Sequence, residues 1–235
     1  MARLTEMQLS VLSNFDTPTV CNAIERFQLR SHTEGFAHPG MVLRTSQTRA
    51  MVAYAVTAKL SSWTPATASQ KAMMFDYYED VLKVDVPTVA VMQDIDEVRI
   101  GTFWGEVQAT TFKALGAIGT ITDGGIRDLS DVDALGFYCF STELMVARAE
   151  AHLVERNTPV TIRKLMIHPG DLIHADGHGI TVIPHEIAPM LAEACQGICD
   201  AEKYVLEPCR KAVAEGQRPG INQIKAWREQ MNKRR

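Results

Sequence analysis

No stretch of this chain approaches the roughly 20 consecutive apolar residues that a membrane-spanning helix requires. The opening Met1-Ala2-Arg3-Leu4-Thr5-Glu6 turns polar before a signal-peptide core could form, so the expected setting is cytoplasmic, with no membrane partner. Cysteine is sparse and scattered: five residues, at 21, 139, 195, 199 and 209, contain no CxxC pair to frame a zinc ribbon or a thioredoxin-type centre. Cys195 and Cys199 fall four apart in a helical stretch, and all five read as reduced, buried or half-buried thiols. GxGxxG, Walker and GxSxG patterns are missing, which removes the usual arguments for a dinucleotide, a nucleotide or a serine nucleophile. Charge of one sign is lacking too. A net −4 gives no electrostatic reason to expect nucleic acid as a partner. What remains is an ordinary globular composition, 46% apolar and 22% charged over 235 residues, long enough for one sizeable core.

Patterning along the chain supplies the organisation. Residues 5–15 read as a short helix, and Asp16-Thr17-Pro18-Thr19 as the cap and first turn of another that continues from Val20 to Phe27. After a loop at 31–40, Met51 to Leu60 reads as a strand, 68–83 as a helix and 88–93 as a buried strand that finishes at Asp94-Ile95-Asp96. Gly101-Thr102-Phe103-Trp104-Gly105 is a glycine-bounded loop, followed by a helix from Glu106 to Leu115 that Gly116 stops. A strand at 117–122, a turn at Asp123-Gly124-Gly125, a helix at 130–135 and a strand at 137–141 complete a βα alternation. The pattern then turns to β at 160–166, 172–175 and 180–183, before a long helix from about 185 to 214. Past Gly216 the tail is basic, with Ile221, Ile224, Trp227 and Met231 at helical spacing. Both an amphipathic helix packed on a neighbouring subunit and a freely solvated tail fit that pattern. With no repeat and no linker, the reading is one α/β domain at 1–215 with a basic C-terminal extension at 216–235.

The segment 101–128 carries the chemistry. A helix that starts at Glu106 presents free N–H groups from Val107 and Gln108, and Gly105 lets a ligand come close. Unpaired donors and the helix dipole both favour a carboxylate there. A helix and a returning strand would bring Arg127 and Asp128 back to the same crevice. Asp128 is a hard oxygen ligand suited to Mg²⁺ or Mn²⁺, which take few protein ligands and keep several waters. Arg127 can donate to an oxygen that gains charge, and Glu106 can hold a water and move a proton. An Arg-Asp pair after two glycines is equally a loop salt bridge or a helix cap, and spacing alone leaves both readings open.

Glu106, twenty intervening residues and then Arg127-Asp128, with Gly116 to Gly125 between them, resembles the signature of the 4-hydroxy-4-methyl-2-oxoglutarate aldolase family, which also includes the regulator of ribonuclease activity A. Residues 16–23 and 169–176 extend the likeness to roughly 15–205. The resemblance implies a class II, metal-dependent pyruvate aldolase or 2-oxo acid decarboxylase with a layered αββαβ fold like that of the swivelling phosphohistidine domain. It implies Asp128 as the metal ligand, Arg127 on the 2-oxo oxygen, Glu106 acting through a metal-bound water and the backbone of 106–108 on the substrate carboxylate. Homotrimers or homohexamers with sites near subunit interfaces are also implied. Two other functions stay open: a non-catalytic protein that binds a ribonuclease, and a different lyase or hydrolase whose pocket is reshaped by Trp104, His174 and His178.

The remaining candidates read more simply. Asp94, Asp96 and Glu97 suit a solvated strand-end turn better than a metal site. His174, Asp176 and His178 alternate as metal ligands on a strand would, but Asp176-Gly177 is a turn signal that breaks the strand. His185 reads as a cap-region residue. Lys59, Lys71 and Lys113 lack the apolar flanks that would activate a Schiff-base amine.

Overall fold

A computed structural model describes residues 3–234. Its centre is β2 (Met51–Ser61), in which every residue from Met51 to Ala58 is buried. Because strand side chains alternate, this one strand feeds three cores. Met51, Ala53 and Ala55 enter a core shared with a small hairpin, β7 (Val160–Ile162) and β8 (Leu165–Ile167). Val52 and Tyr54 enter a second, beneath α1 (Glu6–Leu12), α2 (Thr17–Glu25) and α6 (Leu191–Ala214). Farther along, Val56, Ala58 and Leu60 join a third with α3 (Ala68–Leu82) and α4 (Glu106–Ala114).

From β2 the sheet grows in parallel through β3 (Thr88–Asp94) and β4 (Ala117–Ile126) to β5 (Tyr138–Leu144). Parallel neighbours need long crossovers, and α3, α4 and α5 (Leu129–Ala134) provide them. The two-residue β1 (Val42–Leu43) closes one edge on β5. On the other side, β9 (Leu172–Asp176) pairs antiparallel with the start of β2 and with β10 (Gly179–Ile183), while β6 (His152–Arg156) pairs with the end of β2. The result is one mixed α/β domain.

Several boundaries differ from the sequence reading, each for a local reason. The Asp16 side chain accepts from Thr19 N–H (2.8 Å), so α2 starts at Thr17 and ends before Phe27. The stretch 160–166 is a hairpin, turned at Arg163-Lys164, whose φ values of +45° and +69° are those of a tight two-residue turn. Asp123-Gly124-Gly125 is not a turn: β4 runs through it to Ile126, with a register shift against β5 between Thr122 and Gly125. The last long helix begins only at Leu191, after a 3-10 turn at Ala188–Met190. β1 and β6 were not foreseen, one being too short and the other too charged to show a strand pattern. In the tail, α7 (Ile221–Asn232) packs on α6, with Met231 buried and the Arg234 guanidinium 4.5 Å from the centre of the Tyr204 ring. No helix among the described residues is long and apolar enough to cross a membrane.

Trp104 does not shape a pocket. It is 1% exposed, and its ring centre lies 4.8 Å from that of Phe112 and 6.2 Å from that of Phe137. Trp104→Ala should cost about 3–5 kcal/mol, as large core truncations do. Urea unfolding should show a lower midpoint with an unchanged slope.

Candidate functional site

The loop 101–105 is stitched to the end of β4. Thr102 Oγ1 donates to Gly125 O (2.6 Å) and accepts from Trp104 N–H (2.9 Å), and Arg127 N–H donates to Trp104 O (3.2 Å). Trp104 and Ile126 form a parallel bridge, so the chain leaves this point as two neighbouring segments: Gly105 leads into α4, and Arg127-Asp128 leads into α5.

Contact at this junction is tight. A Cβ on Gly105 would fall 2.5 Å from Asp128 Oδ2 and 3.1 Å from Arg127 Cγ, so space demands glycine there; its backbone (φ −165°) is ordinary extended chain. Asp128 adopts φ +56°, ψ +42°, the left-handed region that Asp tolerates better than most residues. Though it stands at the N-cap position of α5, its side chain does not cap that helix. Oδ2 instead accepts from Glu106 N–H (3.1 Å), the first orphan donor of α4, and lies 3.6 Å from Arg127 Nε. The structural alternative left open by the sequence is the one observed. Asp128 is a helix cap, of α4 and not α5, and it also faces a cleft.

That cleft holds about 550 Å³. Arg127 and Asp128, whose side chains are each 40% exposed, line it together with Gly105, Val107 and Gln108. Helix geometry leaves the N–H groups of Val107 and Gln108 without backbone acceptors, and no side chain of α4's own N-cap takes them. Glu106 is exposed and is not part of the lining; what it contributes directly is its N–H to Asp128. Sequence reasoning missed Arg148 and Glu150, which share the cleft from the segment between β5 and β6, and His152, which lines it from the start of β6, and passed over Lys71, which lines it from α3. No motif marks them.

A divalent ion fits this donor set. Asp128 Oδ2 is engaged by Glu106 and Arg127, while Oδ1 has no hydrogen-bond partner among the described residues. Mg²⁺ typically takes one or two carboxylates and completes its shell with water and substrate oxygens. No group of three His, Cys, Asp or Glu side chains that could cage a metal occurs among the described residues.

The other candidates serve the fold. Thr17 Oγ1 is 3.0 Å from His174 Nδ1, whose ring is buried, lacks solvation as a cation and titrates below the usual histidine range. Burial would raise the Asp176 carboxyl, but hydrogen bonds from Thr17 and His178 outweigh it and hold it low. Neither His174 nor His178 lines the cleft, so the reshaped pocket imagined for them and for Trp104 is corrected. Lys59 pairs with Glu155 (2.7 Å), and Lys113 donates to Leu135 O. Cys139 and Cys195 are buried, and burial pushes the Cys195 thiol up to about 12, which makes it inert.

The acidic cluster is a brace and is more buried than a solvated turn. Asp94 N–H donates to Asp123 Oδ1 (2.8 Å), Asp96 N–H to Asp94 Oδ1 (3.0 Å) and Arg99 Nη2 to Asp123 Oδ2 (3.0 Å). Ser61 Oγ and Ser62 N–H donate to Asp96 (2.7 and 2.6 Å). These bonds tie the ends of β2, β3 and β4 to the loop that leads to Gly105. Asp94 Oδ2 has no partner, and burial pushes Asp94 up to about 6.

The architecture and the site together define a class: a mixed α/β domain with a cleft where a strand end, bearing a guanidinium and a carboxylate, meets a helix N-terminus. The chain belongs to the RraA-like family, whose Aldolase/RraA model matches residues 17–182 and so spans every cleft residue named above. It is 31% identical over 105 residues to an uncharacterized protein of Methanocaldococcus jannaschii, covering 44% of this chain and 50% of that one. Over 74 residues it is 38% identical to a Halalkalibacterium halodurans protein that carries the provisional name 4-hydroxy-4-methyl-2-oxoglutarate aldolase, covering 31% and 35% of the two chains. The chain thus spans half or less of these relatives. Streptomyces coelicolor RraAS2, described as an unusual member of the RNase ES inhibitor RraA family, shares the fold with a TM-score of 0.67 at 21% identity, over 89% of this chain and 98% of that one. The family holds aldolases and ribonuclease regulators alike.

The brace gives a pH prediction. A carboxyl raised in the folded state favours folding while it stays protonated, and that contribution is lost as pH climbs from its unfolded value near 4 through about 6. Asp94→Asn, which cannot ionise, should gain stability relative to the wild type between pH 4.5 and pH 8, by about 2 kcal/mol. Chemical denaturation at the two pH values measures it.

Proposed function

We propose that this protein is a divalent-metal-dependent lyase acting on a small 2-oxo acid. The reaction is retro-aldol cleavage of a 4-hydroxy-2-oxo diacid to pyruvate, decarboxylation of oxaloacetate, or both. One observation carries the reading: Arg127, Asp128 and the free N–H groups of Val107 and Gln108 share a single cleft. The relative named as an aldolase supports it.

In this reading the N–H groups of Val107 and Gln108 bind the substrate carboxylate, where unpaired donors and the helix dipole favour negative charge. Arg127 donates to the 2-oxo oxygen. As the carbon–carbon bond breaks, its electron pair moves into the enolate, and the oxygen beside Arg127 gains the charge that a guanidinium stabilises. Asp128 would hold Mg²⁺ or Mn²⁺, which supplies Lewis-acid polarisation of the same oxygen when bound. Glu106, exposed at the start of α4 and outside the cleft lining, would reach the substrate only through water, moving a proton along it. The cap from Asp128 to Glu106 N–H holds the helix end and the acid in register. A homotrimer or homohexamer, a cytoplasmic setting, the phosphohistidine-like layering and a division at 215/216 are parts of the same proposal.

With Mg²⁺ or Mn²⁺, a lactate dehydrogenase-coupled assay should detect pyruvate from oxaloacetate or a 4-hydroxy-2-oxo diacid, and excess chelator should stop it. Asp128→Ala should abolish turnover, and Arg127→Ala should lower kcat by on the order of 10²–10³ without a change in melting temperature. Wild-type rates in both variants would sink the assignment. A protein silent on every 2-oxo acid would favour the regulators of the family.

In the same assay, Gly105→Ala should displace the Asp128 carboxylate and lower turnover at least about tenfold, because removing a positioned group is costly. Circular dichroism should show its fold unchanged.

A further inference from the structure

Two walls of the cleft lead back to one buried carboxyl. On the first, Thr102 and Trp104 are spliced to Gly125 and Arg127. A Cβ on Gly124, one residue earlier, would fall 3.0 Å from Asp94 Oδ2 and 3.2 Å from Asp94 Cβ, so the Asp94 side chain packs on the strand end that carries the splice. The second wall is the segment between β5 and β6, which brings Arg148 and Glu150 to the cleft. Glu150 N–H donates to Ser62 O (3.2 Å), Ser62 N–H to Asp96 Oδ2 (2.6 Å) and Asp96 N–H to Asp94 Oδ1 (3.0 Å). A chain of hydrogen bonds thus runs from this wall to the same carboxyl.

The second wall has little slack. A Cβ on Gly101 would lie 2.4 Å from Arg148 O, and one on Gly125 would lie 2.3 Å from Met145 Cγ, so both glycines are needed for the segment to lie where it does. Ala149 sits at φ +48°, in the left-handed region, where a non-glycine residue costs about 1–2 kcal/mol. Strain of this kind persists only while the surroundings hold it. Asp94 is itself poised between two charge states. It is 3% exposed, and its Oδ2 has no hydrogen-bond partner among the described residues. The charged groups that face it are Asp96, Arg99 and, from β4, Asp123, on which Arg163 also bears. Lys59, near the end of β2, is taken by Glu155. Arg99 is already bonded to Asp123 (3.0 Å). With Asp94 protonated, two carboxylates surround one guanidinium; ionised, it adds a third and buries an anionic oxygen that no donor reaches. Burial pushes Asp94 up to about 6, so the change falls in mildly acidic solution.

We propose that Asp94 is a positioning residue, a clasp that holds the two walls of the cleft in register while neutral and releases them when ionised. Repulsion from Asp96 and Asp123 then opens the bonds to Ser62 and loosens the packing on Gly124. The strained segment relaxes from its left-handed turn, and the splice at Gly125 loses its backing. The clasp rests on the lyase reading only for its effect on turnover; its effect on the walls needs no substrate.

Amide hydrogen exchange of the full chain, corrected for the pH dependence of the intrinsic rate, tests it without a ligand. Between about pH 5 and about pH 8, peptides covering 101–105 and 145–150 should lose protection about tenfold in the wild type, while β9 keeps its own. Asp94→Asn, neutral throughout, should keep both walls protected at either pH. Constant protection of the walls in the wild type, or an equal loss in β9, would overturn the clasp whether or not the variant folds. In the pyruvate-release assay, wild-type kcat/KM should fall above about pH 6, and that of Asp94→Asn should not. A fall that persists unchanged in Asp94→Asn would belong to another group and overturn the role of Asp94. A wild type silent on every 2-oxo acid that still shows the exchange response would overturn the lyase reading and support the clasp.

Discussion

Everything functional here depends on a short splice: the backbone of Trp104 joined to that of Ile126 and Arg127, with the Thr102 hydroxyl bonded across to Gly125. The splice brings the start of one helix and the end of one strand to van der Waals distance. Trp104 makes it rigid by burying a large aromatic side chain between Phe112 and Phe137 on the core side, while Gly105 leaves room for the Asp128 carboxylate on the cleft side. Bulk on one face and none on the other is what lets Asp128 reach the α4 N-terminus.

That reach gives Asp128 two roles. One oxygen satisfies an orphan N–H of α4, and the other, which has no hydrogen-bond partner among the described residues, is the one that the proposed metal would take. Its left-handed backbone is a local cost offset by the cap it makes across the junction, and it turns the carboxylate away from the helix it precedes in sequence. The buried brace of Asp94, Asp96, Asp123 and Arg99 fixes the strand ends beneath the same loop. The strained segment at Ala149 closes the cleft from another side. The two supports differ in kind. One is a hydrogen-bonded network of buried carboxylates, and the other is a backbone held by glycines that admit no side chain.

Much of the fold was legible before any coordinates. β2, β3, α3 and α4 follow from apolar alternation, helical period and the Gly116 stop, and the structure bounds them within a residue or two of those signals. Legibility failed where tertiary contacts overrule local chemistry. Asp123-Gly124-Gly125 has turn composition, yet pairing with β5 and hydrogen bonds from Thr142 hold it extended. Trp104, read as a pocket wall, is core because Phe112 and Phe137 enclose it. Arg148 and Glu150 carry no motif, since what places them is a loop conformation, and His152 is placed by the pairing of β6 with β2.

The sequence by itself determined the elements and the chemical vocabulary: an acid and an Arg-Asp pair twenty residues apart, and a glycine at a helix start. Local periodicity and residue chemistry act over a few positions, so they can be read in order along the chain. Only the tertiary structure decided which oxygen of Asp128 is spent on capping, that Glu106 meets it through its N–H, and which cations from distant segments share the cleft. Those are distances between residues far apart in sequence, and packing alone sets them.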